Sequence, residues 1–172
     1  MKKRKNFRKI LPLLLALALA IGLCACGQGG SGTSSGDTQG LSSSIFIGET
    51  ELKLGAEFTE EARTALGEPE SVEEAPSCHY DGTDNIYRYA GLTVFTYMQD
   101  EKSILYSVEV SDEAYPTPEG VKVGMTLDEA KALCGDGAEE INNGISYSLG
   151  GKMTLNFRAT DGKIHTIEYY TE

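Results

Sequence analysis

The residues with chemical potential are few. The chain has four cysteines and two histidines, and metal chelation or nucleophilic catalysis would have to be built from these and from carboxylates. His79 follows Cys78 in a loop, whereas His165 falls in a strand-like run, and neither has a zinc ligand set at the right spacing. A thiol nucleophile at Cys78 would need a base oriented by a third group; none is identifiable, and neighbours in sequence rarely face each other. The acidic pairs Glu60-Glu61, Glu73-Glu74 and Glu139-Glu140 lack the spacing of a calcium loop and read as solvated charge. No nucleophile elbow, phosphate loop or dinucleotide fingerprint is present, and "GQGGSG" has neither a strand before it nor a helix after it. The expectation is a protein without catalytic residues, metal or cofactor.

Charge is distributed unevenly. Six of the 15 basic residues precede residue 10, and all 26 acidic residues follow residue 26, so nine basic against 26 acidic residues leave the remainder at net −17. Such a body is repelled by nucleic acid, and no basic stripe with interleaved aromatics offsets this.

The amino terminus reads as an address. Six positive charges, then an apolar run over residues 10–23 broken only by Pro12 and Gly22, then small residues, make the three-part pattern of a secretory signal peptide. The run is short for a membrane span, and the alternatives to a lipoprotein leader are an ordinary secreted protein or an uncleaved helix. It ends in "LCACG", which resembles the bacterial lipobox, with Leu23 and Ala25 in the two determining places before Cys26. Cys24 fits poorly, since Leu23 would then stand just before the cut. The resemblance implies that residues 1–25 are a lipoprotein signal peptide and that Cys26 is the lipid attachment site, carrying acyl chains such as palmitate. Two acyl chains hold firmly where one is marginal. Residues 26–44 follow as a Gly/Ser tether, a composition that buries no core; its eighteen residues after Cys26 span roughly 25 Å.

The folded part is expected to consist of two tandem repeats, 45–112 and 113–172. In each, an apolar alternation (Leu52, Leu54; Val121, Val123) meets a Gly, a short capped helix ends in another Gly, and three strand-like runs follow. Thr59 caps a helix over 60–66, and Pro69 forbids its continuation. Thr126 and Glu129 form a capping box, and Met125 can staple to Ala130. Strands are expected at 45–47, 51–54, 85–89, 92–99 and 104–111, then at 145–149, 152–158 and 163–169, with 68–84 as loop. Met153, Leu155 and Phe157 alternate with polar residues, so one sheet face is buried and one wet. The fold class that follows is α+β, each repeat a short helix packed on antiparallel sheet, giving a curved sheet with one open face.

"KLG" and "KVG", the helices ending near Gly, "SCHYDG", "IYRYAGLTVFTY" and "TPEGVKVG" resemble lipoproteins with tandem beta-lactamase-inhibitor-protein-like repeats, and the half-repeat is similar to the small protein A lipoproteins of outer-membrane assembly. The resemblance covers roughly residues 45–172. It implies a membrane-anchored, extracytoplasmic, non-enzymatic module that binds another protein at the cell surface. The alternatives are a structural or assembly accessory of the envelope, an uncharacterised enzyme, or a beta-lactamase inhibitor; no inhibitory residues carry over. Cys134 departs from the pattern, which calls for an aromatic there.

Two site expectations follow. Cys78 and Cys134, the thiols left in the exported folded part, are candidates for a disulfide worth roughly 4 kcal/mol. If Ala90-Gly91 is a two-residue turn, Tyr89 pairs with Leu92 and Tyr87 with Val94, all four on one face. Matching Phe95 to Leu155 puts Phe95 in the buried row, so Tyr87, Tyr89, Leu92 and Val94, with Ile145 and Tyr147, are expected on the open face as the partner-binding surface. The alternatives are that this row is buried between the repeats or by a folded-back terminus, and that a slip of one residue inverts the assignment.

Overall fold

The computed structural model describes residues 40–77 and 82–172. The signal peptide, Cys26, most of the tether, Cys78 and His79 lie outside the described residues. Residues 38–172 form one compact unit.

The chain runs β1 (Ser44–Ile47), β2 (Thr50–Lys53), α1 (Glu60–Leu66), β3 (Ser71–Pro76), β4 (Thr83–Tyr89), β5 (Leu92–Gln99), β6 (Lys102–Val110), α2 (Leu127–Cys134), β7 (Glu139–Ile141), β8 (Gly144–Gly150), β9 (Met153–Thr160) and β10 (Lys163–Thr171). β1 and β2 form a separate hairpin closed by Gly48-Glu49. The other eight strands make one antiparallel sheet in the order β3-β4-β5-β6-β10-β9-β8-β7.

This corrects the expected fold class. Two independent helix-on-sheet repeats are absent among the described residues; strands take 52% of the structure against 12% for helix, which makes the fold sheet-dominated. The reason is the seam. β6 and β10 pair edge to edge, with Val110 opposite Ile167 and Val108 opposite Tyr169, so the two strand meanders become one sheet with a common core. The halves also differ, because Val121 and Val123 lie outside any strand and no hairpin among the described residues matches β1-β2.

The helices are too small to organise layers of their own. α1 buries no residue and α2 buries only Ala130. They form because their ends are satisfied: Thr59 Oγ1 accepts from the Ala62 amide at 3.2 Å, and Thr126 with Glu129 makes the reciprocal box at 3.2 and 2.8 Å. Each is led in by a glycine loop bonded to the sheet. The Gly55 amide donates to Leu105 O at 2.8 Å, and the Gly124 amide donates to Ile164 O at 2.7 Å.

The core lies between this layer and the inner sheet face. Leu92, Val94, Leu105, Val108, Val110, Leu155, Phe157, Ile167 and Tyr169 supply the sheet side, and Ile45, Leu52, Phe58, Val121 and Ala130 the other. Burying each large aliphatic or aromatic side chain contributes about 1.5–3 kcal/mol before the entropy of ordering it. Tight turns set the register. At Ala90-Gly91, Gly91 takes φ 73°, and an added Cβ would run into the Asp112 side chain.

Two strands missing from the expected set are the edges. β3 falls within 68–84, the expected loop, and β7 is only three residues long. β3 carries Glu73 and Glu74 and ends at Pro76; β7 begins with Glu139 and Glu140. Both have weak hydrophobic alternation, because an edge strand has one neighbour and little to bury.

Candidate functional site

The helices and the hairpin pack on one sheet face. Phe58 meets Tyr87 edge-on at 5.2 Å between ring centroids, and Tyr147 donates its hydroxyl to Gly135 O at 3.1 Å. The expected partner-binding residues are therefore on the wrong side of the sheet for that role. Tyr89, Leu92, Val94, Ile145 and Tyr147 are core residues, and Tyr87 is packed against them. The turn itself forms as expected, with Tyr89 opposite Leu92 and Tyr87 opposite Val94. The error is the one-residue slip: Leu92 and Val94, not Phe95, share the inner face with Leu155 and Phe157.

Parity then places Phe95, Tyr97 and Ile86 on the outer face, opposite the helices. A β-bulge at Phe95/Thr96 re-aims the middle of β6. It lets Tyr106 turn outward beside Phe95 and Tyr97, at ring-centroid distances of 6.1 and 6.3 Å, while its hydroxyl donates to Asp84 Oδ2 at 3.2 Å. Inward, the same irregularity is closed by the buried pair Ser103 and Thr96, whose hydroxyls bond at 2.7 Å.

Across the seam a polar ladder runs Arg88, Thr93, Glu109, Glu168, Asn156, each residue directly opposite the next. Its next row holds Phe95, Ser107, Tyr170 and Thr154. Between the rows lies a groove of about 110 Å³ lined by Phe95, Tyr106, Ser107, Glu109, Glu168 and Tyr170. The two carboxylates differ. Glu168 accepts from Arg158 at 3.1 Å and Asn156 at 3.0 Å. Glu109 has no hydrogen-bond or ion-pair partner among the described residues. Burial pushes its pKa up, the facing Glu168 adds to this, and Arg158 and Arg88 oppose it. The groove thus joins aromatic rings to a half-buried acid whose charge Arg158 and Arg88 offset only in part.

Sequence reasoning missed all six groove residues. The available signal was polar parity: Arg88, Thr93 and Glu109 each interrupt an apolar alternation, which marks their side of β4, β5 and β6 as the wet one.

A second cavity, of about 320 Å³, is lined by Gly40, Leu41, Pro118, Glu119, Leu133 and Cys134. Ser42 donates its amide to Glu119 Oε1 at 3.0 Å, which pins the start of the domain over it. Cys134 is a free, half-buried thiol, its pKa pushed up to about 11 by burial and then by Glu119. The expected pairing of Cys78 with Cys134 is therefore not formed here, with Cys78 itself outside the described residues. His165 sits at the β9–β10 irregularity, exposed, with Nδ1 2.8 Å from Thr166 Oγ1. Among the described residues no group of His, Cys, Asp and Glu is disposed to hold a metal ion, and no helix is long and apolar enough to cross a membrane.

No family model matches the sequence, and neither does any curated protein. Two solved structures resemble this one. A DUF4309 family protein (YjgB) from Bacillus subtilis is 16% identical, with a TM-score of 0.40 over 70% of this chain and 82% of its own. An extracellular protein containing a SCP domain from Bacillus anthracis is 14% identical, with a TM-score of 0.38 over 87% of this chain and 50% of its own. Both are bacterial and the second is described as extracellular; neither is described as a lipoprotein or as a beta-lactamase-inhibitor-like repeat protein. At such scores neither lends this chain a function.

Proposed function

We propose that the chain is a non-enzymatic, extracytoplasmic binding module, anchored through Cys26, that presents its outer sheet face to a protein at the cell surface. The observation carrying this reading is the groove between Phe95, Tyr106, Tyr170 and Glu109 on the face left open by the helices. Aromatic residues dominate the energetic centres of protein interfaces, and a rim of Thr, Ser and Asn around them suits a wet periphery. Export rests on the signal-peptide pattern of residues 1–25, and the acidic body argues against a nucleic-acid partner on electrostatic grounds.

The test uses photo-crosslinking residues on intact cells, placed at Thr93 and Thr154 on the outer face and at Thr64 and Ala132 on the helices. A single protein crosslinked from Thr93 and Thr154 but not from the helix positions supports the reading, provided the purified pair also associates. Crosslinking from the helix positions instead would move the interface and reject it. Several envelope components captured together would favour an assembly accessory. Anchoring is read separately: Cys26→Ala should leave the protein unprocessed or free of the membrane.

A further inference from the structure

We infer that the groove seats a basic side chain, a lysine ammonium or arginine guanidinium, projecting from the partner protein. This rests on the outer face being the binding surface and names the chemistry it selects. The argument begins with size. Sites for drug-sized ligands run about 300–1,000 Å³, whereas this groove encloses about 110 Å³. That is room for one charged head and the last carbons of its stem. It suits a side chain delivered by a larger body better than a free metabolite held on all sides.

The lining sets the sign of the charge. Phe95, Tyr106 and Tyr170 line the groove, and aromatic quadrupoles attract cations within about 6 Å of a ring. Glu109 lines the groove, half-buried, with no hydrogen-bond or ion-pair partner among the described residues and a second carboxylate directly opposite. The nearby cations are committed elsewhere: Arg158 to Glu168 at 3.1 Å, and Arg88 to Glu73 at 3.3 Å. An incoming cation would complete the counter-charge that Arg158 and Arg88 supply only in part. An incoming carboxylate would meet two acids. The surroundings agree, since the chain beyond residue 26 is at net −17, from nine basic and 26 acidic residues, and so steers basic surfaces toward it.

The test uses the compact unit 38–172 and the peptide Gly-Gly-Lys-Gly-Gly, capped at both ends, followed by amide chemical shifts. The expected result is saturable shifts at residues 95, 106–109 and 168–170. Acetylation of the lysine should abolish them, and Glu109→Gln should weaken them by about tenfold, the scale of one charge-assisted hydrogen bond. The Glu109→Gln spectrum and melting curve, recorded alongside, show whether the variant is folded. Phe95→Leu keeps the groove apolar while removing a ring, and should weaken binding without removing it. Equal binding by the acetylated peptide, unchanged affinity in folded Glu109→Gln, or shifts confined to the helix face would each overturn the inference. Tighter seating of tetramethylammonium than of the peptide would also overturn it, because the site would then serve a free small cation. Failure here with outer-face crosslinking intact discards only the cation; seating of the peptide with no outer-face crosslink discards the protein-binding reading instead.

Discussion

Glu109 and Glu168 stand directly opposite each other across the β6–β10 pairing that joins the two halves of the sheet. Like charges in that relation oppose strand pairing, and each half of the chain contributes one of them. Glu168 is compensated by Arg158 and Asn156. Glu109 has no such bond, and Arg158 and Arg88 offset its charge only in part, so the cost of the pair falls mainly on it.

Replacing Glu109 by Gln should therefore stabilise the fold at pH 7, by up to about 1 kcal/mol, the upper range for a cross-strand charge pair. The pH dependence follows from the raised folded-state pKa, which burial causes first and Glu168 second, against Arg158 and Arg88. The folded state holds the proton more tightly than the unfolded chain, so the penalty is full above the folded pKa and fades as pH falls through it toward the ordinary carboxylate range. Urea titrations of both proteins at several pH values should show curves that converge on acidification. A gap that widens toward low pH would mean Glu109 is favourably paired.

The inversion of the faces has a direct mutational reading at neighbouring positions. Leu92 is buried and Thr93 points outward. Leu92→Ala should cost about 2–5 kcal/mol, and Thr93→Ala no more than about 0.5 kcal/mol, both measured by denaturant unfolding. The reverse ranking would restore the face assignment expected from sequence.

How far that assignment was legible depends on which signal is followed. The helices were readable to the residue at α1, because Thr59, Gly67 and Pro69 act locally. The turn at Ala90-Gly91 was readable for the same reason, and so were the strands flanking it. What failed was the alignment of Phe95 with Leu155. Phe95 is apolar and strand-forming, so pattern alone put it inside; the bulge beside it and the wet partners Thr93 and Glu109 put it outside. The seam was illegible in principle, since Val110 meets Ile167 through a pairing no local signal encodes. The two edges were overlooked because Glu73, Glu74, Glu139 and Glu140 read as loop. The groove was lost with the face.

The helix caps provide a further check. Thr126→Ala removes the hydroxyl's bonds with the Glu129 amide and carboxylate but keeps the backbone amide that donates to Glu129, whereas Thr59→Ala removes the bond from the Ala62 amide and the hydroxyl's bond to Glu61. Both should destabilise within the range of about 0.5–2 kcal/mol. Bonds from the Thr126 backbone and then its side chain hold the Glu129 carboxyl below the usual carboxylate range. The contribution of the Thr126 cap should accordingly be present above the ordinary carboxylate pKa and decline as pH falls through the lower folded value. Thermal melts at pH 7 and pH 3 compare the two variants. A variant as stable as the parent at pH 7 would contradict the cap geometry.

Cys134 separates burial from bonding. With its thiol pKa pushed up to about 11, it should react slowly with iodoacetamide at pH 7.5 in the native protein and promptly in denaturant without reductant. Mass spectrometry of the labelled chain gives the count at Cys134. Absence of label in denaturant alone, with label appearing after reduction, would establish a disulfide in place of the free thiol.

The form of the two outermost strands bears on how copies of this chain can share a surface. If the chain is anchored as proposed, its copies meet at high local concentration on one membrane, and an open antiparallel sheet invites its neighbour to extend it. β3 answers with two glutamates and a closing Pro76, which has no amide hydrogen to offer; β7 offers three residues, two of them glutamates. A joining strand would find few bonds and repelling charge at either end. Crowded copies should accordingly stay laterally independent, each with its aromatic groove unshared.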